Sequence, residues 1–472
     1  MMIMASFVFF LLIFVGVGIA STLRQKSTTE DYLLAGRSVS PILVALSANA
    51  SWNSGFMFIG MIGLTYTVGL AAIWLVLGWL VGDFLMSMIV YKRLRTNSES
   101  SESLTYAGLL ANWNGKELRK VRLVGGIVTL LFLGGYAAAQ LTAGSKALHV
   151  LFGWDYSIGA IVGCVMVVAY CFAGGIRASI WTDAAQSIVM LGAMMLLFAS
   201  AVFSAGGPGA FLEALQNASP TYMHFFPPDM ALGPFFGPIL FVAGWIFAGI
   251  AVIGQPHVMV RFMSMDSVEN MGKTRVYYYS WQFAFNFLTL FVGMAARIFL
   301  PDAGSFDAEL ALPMLSMALL PSIFVGLILA GVFAATMSTA DSQILSCSAS
   351  LTRDILPANK DSYFRTKAAT VLVALFSLGV ALWGPQSVLQ LVLLAAGSLA
   401  SIFGPLLLVY CFGGKPKEKT ILIAMAIGFV VTMGWRGLGL ETITYEVMPG
   451  MLAGLLTYYI ASRKEAKAKK QS

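Results

Sequence analysis

The chain is short of charge, cysteine and histidine. Asp, Glu, Lys and Arg make up 11% of its 472 residues, with four cysteines and three histidines, while 58% of the residues are hydrophobic. That charge is too sparse for a soluble surface, where about a quarter to a third of surface positions are normally charged. Cys164, Cys171, Cys347 and Cys411 fall within or at the ends of apolar runs, which argues against a disulfide framework. His149, His224 and His257 are too scattered for a metal site, and no CxxC, HExxH or Gly-rich phosphate loop with a following Lys occurs. A nucleotide-driven pump would need such a loop, and with no nucleophile–base pair or cofactor fingerprint the chain is not expected to be an enzyme.

Long apolar runs are what the chain does have. A helix needs about 20 residues to cross the hydrocarbon layer. About thirteen runs qualify, near residues 2–20, 40–65, 68–92, 123–150, 156–174, 179–205, 235–260, 276–300, 320–346, 366–384, 388–412, 419–435 and 446–462. The expected fold is an all-α integral membrane protein embedded in a lipid bilayer. Basic residues collect in one alternating set of loops, including Arg93, Arg95, Arg119, Lys120, Arg261, Arg353, Lys360 and the tail Arg463, Lys464, Lys467, Lys469 and Lys470. Cytoplasmic loops retain Lys and Arg, so an odd helix count with the N-terminus outside and the C-terminus inside is expected, in a plasma membrane and specifically a bacterial inner membrane. The net charge of +7 then reflects topology and not nucleic-acid binding. The first run has no basic residue before it and exceeds a signal-peptide core; it is expected to be a retained, peripheral helix.

The organisation is read as a peripheral helix and loop over 1–39, a five-helix unit over 40–205, an external loop over 206–234, a second five-helix unit over 235–412, and two helices with a basic tail over 413–472. Five is odd, so the second unit enters the membrane in the opposite sense, which is the arithmetic of an inverted repeat. Transporters of that kind carry interrupted helices at matching positions. Here Ser47-Ala-Asn-Ala-Ser-Trp-Asn-Ser-Gly55 interrupts the first helix of one unit, and Gly244, Gly249, Gly254 and then Gln255-Pro256-His257 the first helix of the other, the sixth of the ten. Unwound backbone frees carbonyls for a cation, and is tolerated only where it lines a cavity.

Ala334-Ala-Thr-Met-Ser-Thr-Ala-Asp-Ser342 places hydroxyls and one acid at the end of a long apolar stretch. An intramembrane acid costs about 2.5–3.5 kcal/mol and usually faces a partner or an ion. Hydroxyls of Ser338 and Thr339, with carbonyls of Ala335, Ala50 and Asn53, would suit sodium; the bland reading is that Ser and Thr merely bond carbonyls of their own helix. Asp341 and Ser342 continue the same face, and Asp183 is a second acid. These three could complete a second cation site or accept a proton, or the acids could pair structurally with Arg177, Arg353 or a helix end. Asp83 is expected to be structural. For a small organic solute, the midplane offers Asn53, Phe56, Tyr136 and Gln140, the last two sharing one helix face.

Asp31-Tyr-Leu-Leu-Ala-Gly-Arg-Ser38, Leu46-Ser-Ala48 with Ser54-Gly55, Gly174-Gly175 with Trp181-Thr-Asp183, Gly254-Gln-Pro-His257 with Arg261-Phe262-Met263, and Met337-Ser-Thr339 resemble the sodium:solute symporters, in the branch holding the proline and pantothenate symporters. The resemblance runs from about residue 20 to 412 and implies two inverted five-helix repeats with discontinuous first and sixth core helices. It implies a sodium site at Ala50, Asn53, Ala335, Ser338 and Thr339, and in some members a further sodium at the positions of Asp183, Asp341 and Ser342, although 341 is a hydroxyl in those members. It also implies that solute contacts on the sixth core helix fall at Ala248 and Val252, where proline carriers have aromatics, and that Trp52 stands where they have an Asp. The function expected is sodium-coupled uptake of a small organic solute, an amino acid or a carboxylate, with a proton-coupled carrier, a solute sensor on a transporter fold, or a channel as alternatives.

Overall fold

A computed structural model describes the chain except residues 24, 25, 27, 303, 357–362, 386 and 472, and the side chains of 170, 173 and 465–471. Arg24 and Lys360, and the side chains of Lys467, Lys469 and Lys470, lie outside the described residues. The described residues are helical with no strand; the one isolated bridge joins Val39 to Met265.

The main helices, in chain order, are α1 (Met2–Thr22), α2 (Pro41–Trp52), α3 (Gly60–Val68) and α4 (Ile73–Met86), which runs on through a π-turn to Ser100. Then come α5 (Arg119–Phe152), α6 (Tyr156–Ser204), α7 (Gly233–Ile250), α8 (Pro256–Met263), α9 (Met271–Phe299) and α10 (Ser322–Ser350). The last four are α11 (Tyr363–Trp383), α12 (Val388–Cys411), α13 (Glu418–Gly437) and α14 (Val447–Gln471). Among the described residues, ten helical stretches are long and apolar enough to cross a membrane. The protein is an integral membrane protein. All four cysteines are buried and unpaired.

Burial sorts the helices. The most apolar stretch of α10 is 83% buried and that of α1 only 17%, so α10 is central and α1 peripheral. Around α10 pack α5, α6 and α2. Two features of the backbone shape this core. Gly175, at φ 57 and ψ −145, turns the chain inside α6, a conformation that a Cβ disfavours. Gly82 and Gly249 let α4 and α7 touch through their backbones: a Cβ on Gly82 would lie 2.1 Å from Ile246 O, and one on Gly249 would lie 2.5 Å from Trp79 O.

The second interruption is narrower than the glycine pattern suggests. Gly244 and Gly249 lie inside an unbroken α7; the chain leaves the helix only at Gln255, after a 3-10 turn over Ala251–Gly254, and Pro256 starts α8. A proline at the first helical position has no N–H to lose there. The other two glycines serve close packing, Gly244 against Thr444 and Gly249 against α4.

Candidate functional site

The first interruption is built by side chains that take over for missing backbone bonds. Helix α2 stops at Trp52 because Asn53 (φ −85, ψ 69) and then Ser54 (ψ −175) leave the helical region. Asn53 folds back, its N–H and its Nδ2 both bonding Asn49 O, at 2.8 and 3.1 Å. Ser54 Oγ caps Phe56 N at 3.1 Å, and Gln140 Oε1 reaches across from α5 to accept the Gly55 N–H at 2.9 Å. The last carbonyls of α2 therefore lack intrahelical donors, as at any helix end.

Helix α10 supplies hydroxyls at that point. Ser338 Oγ lies 3.0 Å from Ala50 O and 3.1 Å from Ala335 O, while Thr339 Oγ1 lies 3.3 Å from Ala50 O and 3.1 Å from Ser51 O. Two carbonyls and two hydroxyls of the expected set thus converge from facing helices, and every one of these residues is buried. Asn53 sits at the same helix end, but its side chain is turned onto Asn49 and its Oδ1 has no hydrogen-bond partner. Ser51, whose carbonyl joins the cluster, was not singled out from the sequence; its place one residue after Ala50 was the available signal. The oxygens are neutral and hard, a donor set that fits a hard cation, and a hydroxyl can turn its lone pairs inward when one arrives.

Of the expected solute residues, Tyr136, Gln140 and Phe56 lie at this break. Tyr136 OH lies 3.4 Å from Ser54 Oγ, and its ring stands edge-on to His257 with centroids 5.7 Å apart. Phe56 lies against Trp79 at 5.5 Å, and Trp79 against Trp52 at 5.4 Å. Ala248 and Val252 are buried in the last turn of α7 and the 3-10 turn that follows. Several buried polar atoms in these residues and their neighbours have no hydrogen-bond partner: Trp52 Nε1, Asn53 Oδ1, Trp79 Nε1, Gln140 Nε2, Gln255 Oε1 and both ring nitrogens of His257. Such atoms are normally paired, and these lie on residues at or near the two helix breaks. Trp79, Gln255 and His257 escaped selection as solute contacts, although Gln255 and His257 were visible as part of the second interruption.

The acids are placed differently from the pairings weighed above. Arg177, six residues before Asp183, bonds Asp31 at 2.5 Å. Asp183 Oδ2 accepts from Ser47 Oγ at 2.6 Å and from Arg261 Nη2 at 3.2 Å. Asp341 Oδ1 accepts from Ser179 Oγ and Ser342 Oγ, both at 2.9 Å, and lies 3.7 Å from the same guanidinium. Arg261 Nη2 also reaches Ser179 Oγ at 2.5 Å and Ser342 Oγ. Ser342 connects this group to the first, through Ser51 Oγ at 2.9 Å and Ser338 O at 2.6 Å. Asp83 is structural as expected: it accepts from Tyr91, Tyr278 and Tyr279 at 2.5, 2.8 and 3.1 Å, tying α4 to α9.

Comparison with known proteins identifies the family. The profile of the sodium:solute symporter family matches residues 32–428. The chain is 30% identical over 449 residues to the high-affinity proline transporter PutP of Bacillus subtilis, covering 93% of each. It is 29% identical over 453 residues to the sodium/proline symporter of Escherichia coli, covering 93% of this chain and 88% of that one. Among solved structures, a sodium-coupled sialic acid symporter in a substrate-bound outward-open state is similar in fold, with a TM-score of 0.83 at 20% identity over 98% of this chain and 97% of that one. Mhp1, a nucleobase-cation-symport-1 family transporter in a closed conformation, gives a TM-score of 0.61 at 18% identity over 93% and 95% of the two chains. The match over most of the chain and the converging oxygens of α2 and α10 lead to one conclusion: this chain belongs to the sodium:solute symporter family.

Proposed function

We propose that the chain couples sodium entry to uptake of a small organic solute by alternating access. The observation that supports this most is the cluster of four neutral, buried oxygens from Ala50, Ala335, Ser338 and Thr339, where a sodium ion as cargo would sit, with the Asn53 carbonyl as a fifth ligand. The solute would lie against Asn53, Phe56, Tyr136, Gln140, Ala248 and Val252. Unpaired donors on Gln140, Trp52 and Trp79 suit the oxygens of an amino acid or carboxylate.

In this reading the chain has thirteen spans: a peripheral helix within 1–39, two inverted five-helix repeats at 40–205 and 235–412 separated by the loop 206–234, and two further helices within 413–472. The N-terminus is outside and the C-terminus inside a bacterial inner membrane. The energy suffices. One sodium moving down about 100 mV releases about 2.3 kcal/mol and a tenfold gradient about 1.4 kcal/mol, which together sustain about 500-fold accumulation at one-to-one coupling.

The test is uptake into proteoliposomes with an imposed sodium gradient, across a panel of amino acids and carboxylates. Proline, named for the two relatives, heads the panel; the small side chains at Ala248 and Val252 favour larger or less polar solutes. Accumulation that requires sodium supports the reading. Uptake that ignores sodium and follows a pH gradient would point to a proton-coupled carrier, and flux that never accumulates to a channel.

A further inference from the structure

Ile253 lies in the 3-10 turn between α7 and α8. A further turn would close on its carbonyl from residue 256, but Pro256 has no N–H. The carbonyl is satisfied from elsewhere. Tyr106 Oη donates to it, from the start of a short helix, Tyr106–Asn112, in the loop between α4 and α5. The preceding residue ties the same loop to the end of α10. Thr105 Oγ1 donates to Asp354 Oδ1 at 2.8 Å, and Arg122 Nε from α5 reaches that oxygen at 3.0 Å; Asp354 lies in the π-turn Leu351–Ile355 that follows α10. Thr105, Tyr106 and the Asp354 side chain are all buried. Two adjacent residues of one loop thus strap the second helix break to the end of α10.

Behind this strap a polar row runs along α10. Ser338, Ser342, Ser346 and Ser350 recur every fourth residue, so each neighbours the next on the helix surface. The Ser342 hydroxyl bonds Ser338 O at 2.6 Å and the Ser346 hydroxyl bonds Ser342 O at 2.8 Å. The row starts at the oxygens assigned above to sodium and ends one turn before Asp354. A crevice lies over its far half, with Ser346 and Ser350 on one wall, Pro256 and Arg261 on another and Thr105 and Tyr106 on a third. It has about 20 Å³ of open space, room for about one water and no organic solute. Hydroxyl lone pairs can stand in for the water around an alkali cation. The positive charge of Arg261 does not close the way, because two carboxylates, Asp183 and Asp341, stand against it.

We propose that this row is the route by which the coupling ion leaves, and that residues 104–106 are the strap that closes it, with Tyr106 and Asp354 as the positioning residues that hold the strap. The proposal rests on the sodium-coupled reading above in naming the ion. Through Ile253 O the strap is joined to the break that carries Val252, one of the expected solute contacts. Release of the strap and rearrangement of the break are therefore one event.

The test reads access to the row. Ser346→Cys is made in the full chain and treated, in inside-out membrane vesicles, with a membrane-impermeant cationic thiol reagent. Cys347, the next residue, is the internal control, since it is buried and turned to Thr129 O on α5 at 3.5 Å. With the strap intact, labelling of Ser346→Cys should be slow. Tyr106→Phe, which removes only the hydroxyl on Ile253 O, should speed it at least about tenfold, the equivalent of one lost hydrogen bond, while Cys347 stays unlabelled. Asp354→Asn, which weakens the hold on Thr105 and Arg122, should act in the same direction and serves if Tyr106→Phe does not fold. Ser346→Leu, which sets an apolar side chain in the row, should lower the maximal rate of sodium-driven uptake and leave sodium binding to the purified protein unchanged. Equal labelling rates with intact and weakened straps, labelling of Cys347 along with Ser346→Cys, labelling only in right-side-out vesicles, or an unchanged uptake rate in Ser346→Leu would each overturn the proposal and leave the sodium-coupled reading intact. Uptake that ignores sodium would overturn that reading and with it the ion named here, while the labelling would still report the strap.

Discussion

Glu309→Gln should destabilise the protein far more than Asp307→Asn, although both carboxylates bond the same amine. Lys146 Nζ lies 2.6 Å from Glu309 Oε2 and 2.7 Å from Asp307 Oδ2. Solvent separates the two contacts, because the Glu309 side chain is 10% exposed and that of Asp307 is 50%. Breaking a buried pair leaves an uncompensated charge and costs about 3–5 kcal/mol, whereas an exposed pair contributes about 0–1 kcal/mol. Glu309 also accepts the N–H groups of Val388 and Leu389 at 3.2 and 2.9 Å, at the start of α12. A charge lost from a helix N-terminus adds about 0.3–1 kcal/mol. Since Lys146 keeps Asp307, the lower end applies, about 3 kcal/mol for Glu309→Gln against under about 1 kcal/mol for Asp307→Asn. Unfolding in detergent, followed by tryptophan fluorescence, reads both. A cycle with Lys146→Met isolates the pair, and in that background Glu309→Gln should lose much of its effect. Equal losses for the two carboxylates, or an effect of Glu309→Gln that is independent of Lys146, would refute the reasoning.

Other consequences can be checked on the same preparation. Gly82→Ala drives a Cβ into the backbone of α7 and should cost at least about 1–3 kcal/mol, while Gly192→Ala, which meets nothing within 4 Å, should be neutral or gain up to about 1 kcal/mol; similar melting shifts for both would contradict the helix contact. Gln140→Leu strands the Gly55 N–H and should cost about 1–3 kcal/mol while weakening solute-dependent stabilisation; unchanged solute binding would remove Gln140 from the site. Burial raises the carboxyl of Asp307, but hydrogen bonds from Lys146 and the Glu309 N–H outweigh it and leave the group below its ordinary value. Its contribution is therefore present above the unfolded pKa of about 3.9 and is lost as pH falls through the lower folded value, so the stability difference between wild type and Asp307→Asn should shrink below about pH 4; a constant difference would contradict this sign.

What the sequence disclosed depends on how local each signal is. The breaks at Asn53 and Gln255 were legible because Asn, Ser, Gly and Pro change backbone preference where they stand. Ser338 and Thr339 were legible because they share a face with Asp341 and Ser342 on an otherwise apolar helix. Arg261 was not, since it reaches Asp183 and Ser342 across 78 and 81 residues of chain, and helical spacing carries no information on which distant cation meets an acid. Arg177, closer in sequence, was the natural guess and belongs to Asp31. Gly244 and Gly249 misled for a related reason: a glycine that breaks a helix and one that admits a neighbouring backbone look alike in sequence. Trp79 went unremarked because its contacts with Trp52 and Phe56 exist only once α4 crosses the break.

The central claim is that the oxygens of Ala50, Ala335, Ser338 and Thr339 hold the coupling ion. The most direct measurement is the thermal stability of the purified protein titrated with sodium chloride against potassium or choline chloride at constant ionic strength, for wild type and the Ser338→Ala/Thr339→Ala double variant. A ligand at one hundred times its Kd stabilises the folded state by about 2.7 kcal/mol, so a sodium-specific rise in melting temperature is predicted for wild type and none for the variant. A variant that folds and shows the same sodium-specific rise as wild type would place the ion elsewhere.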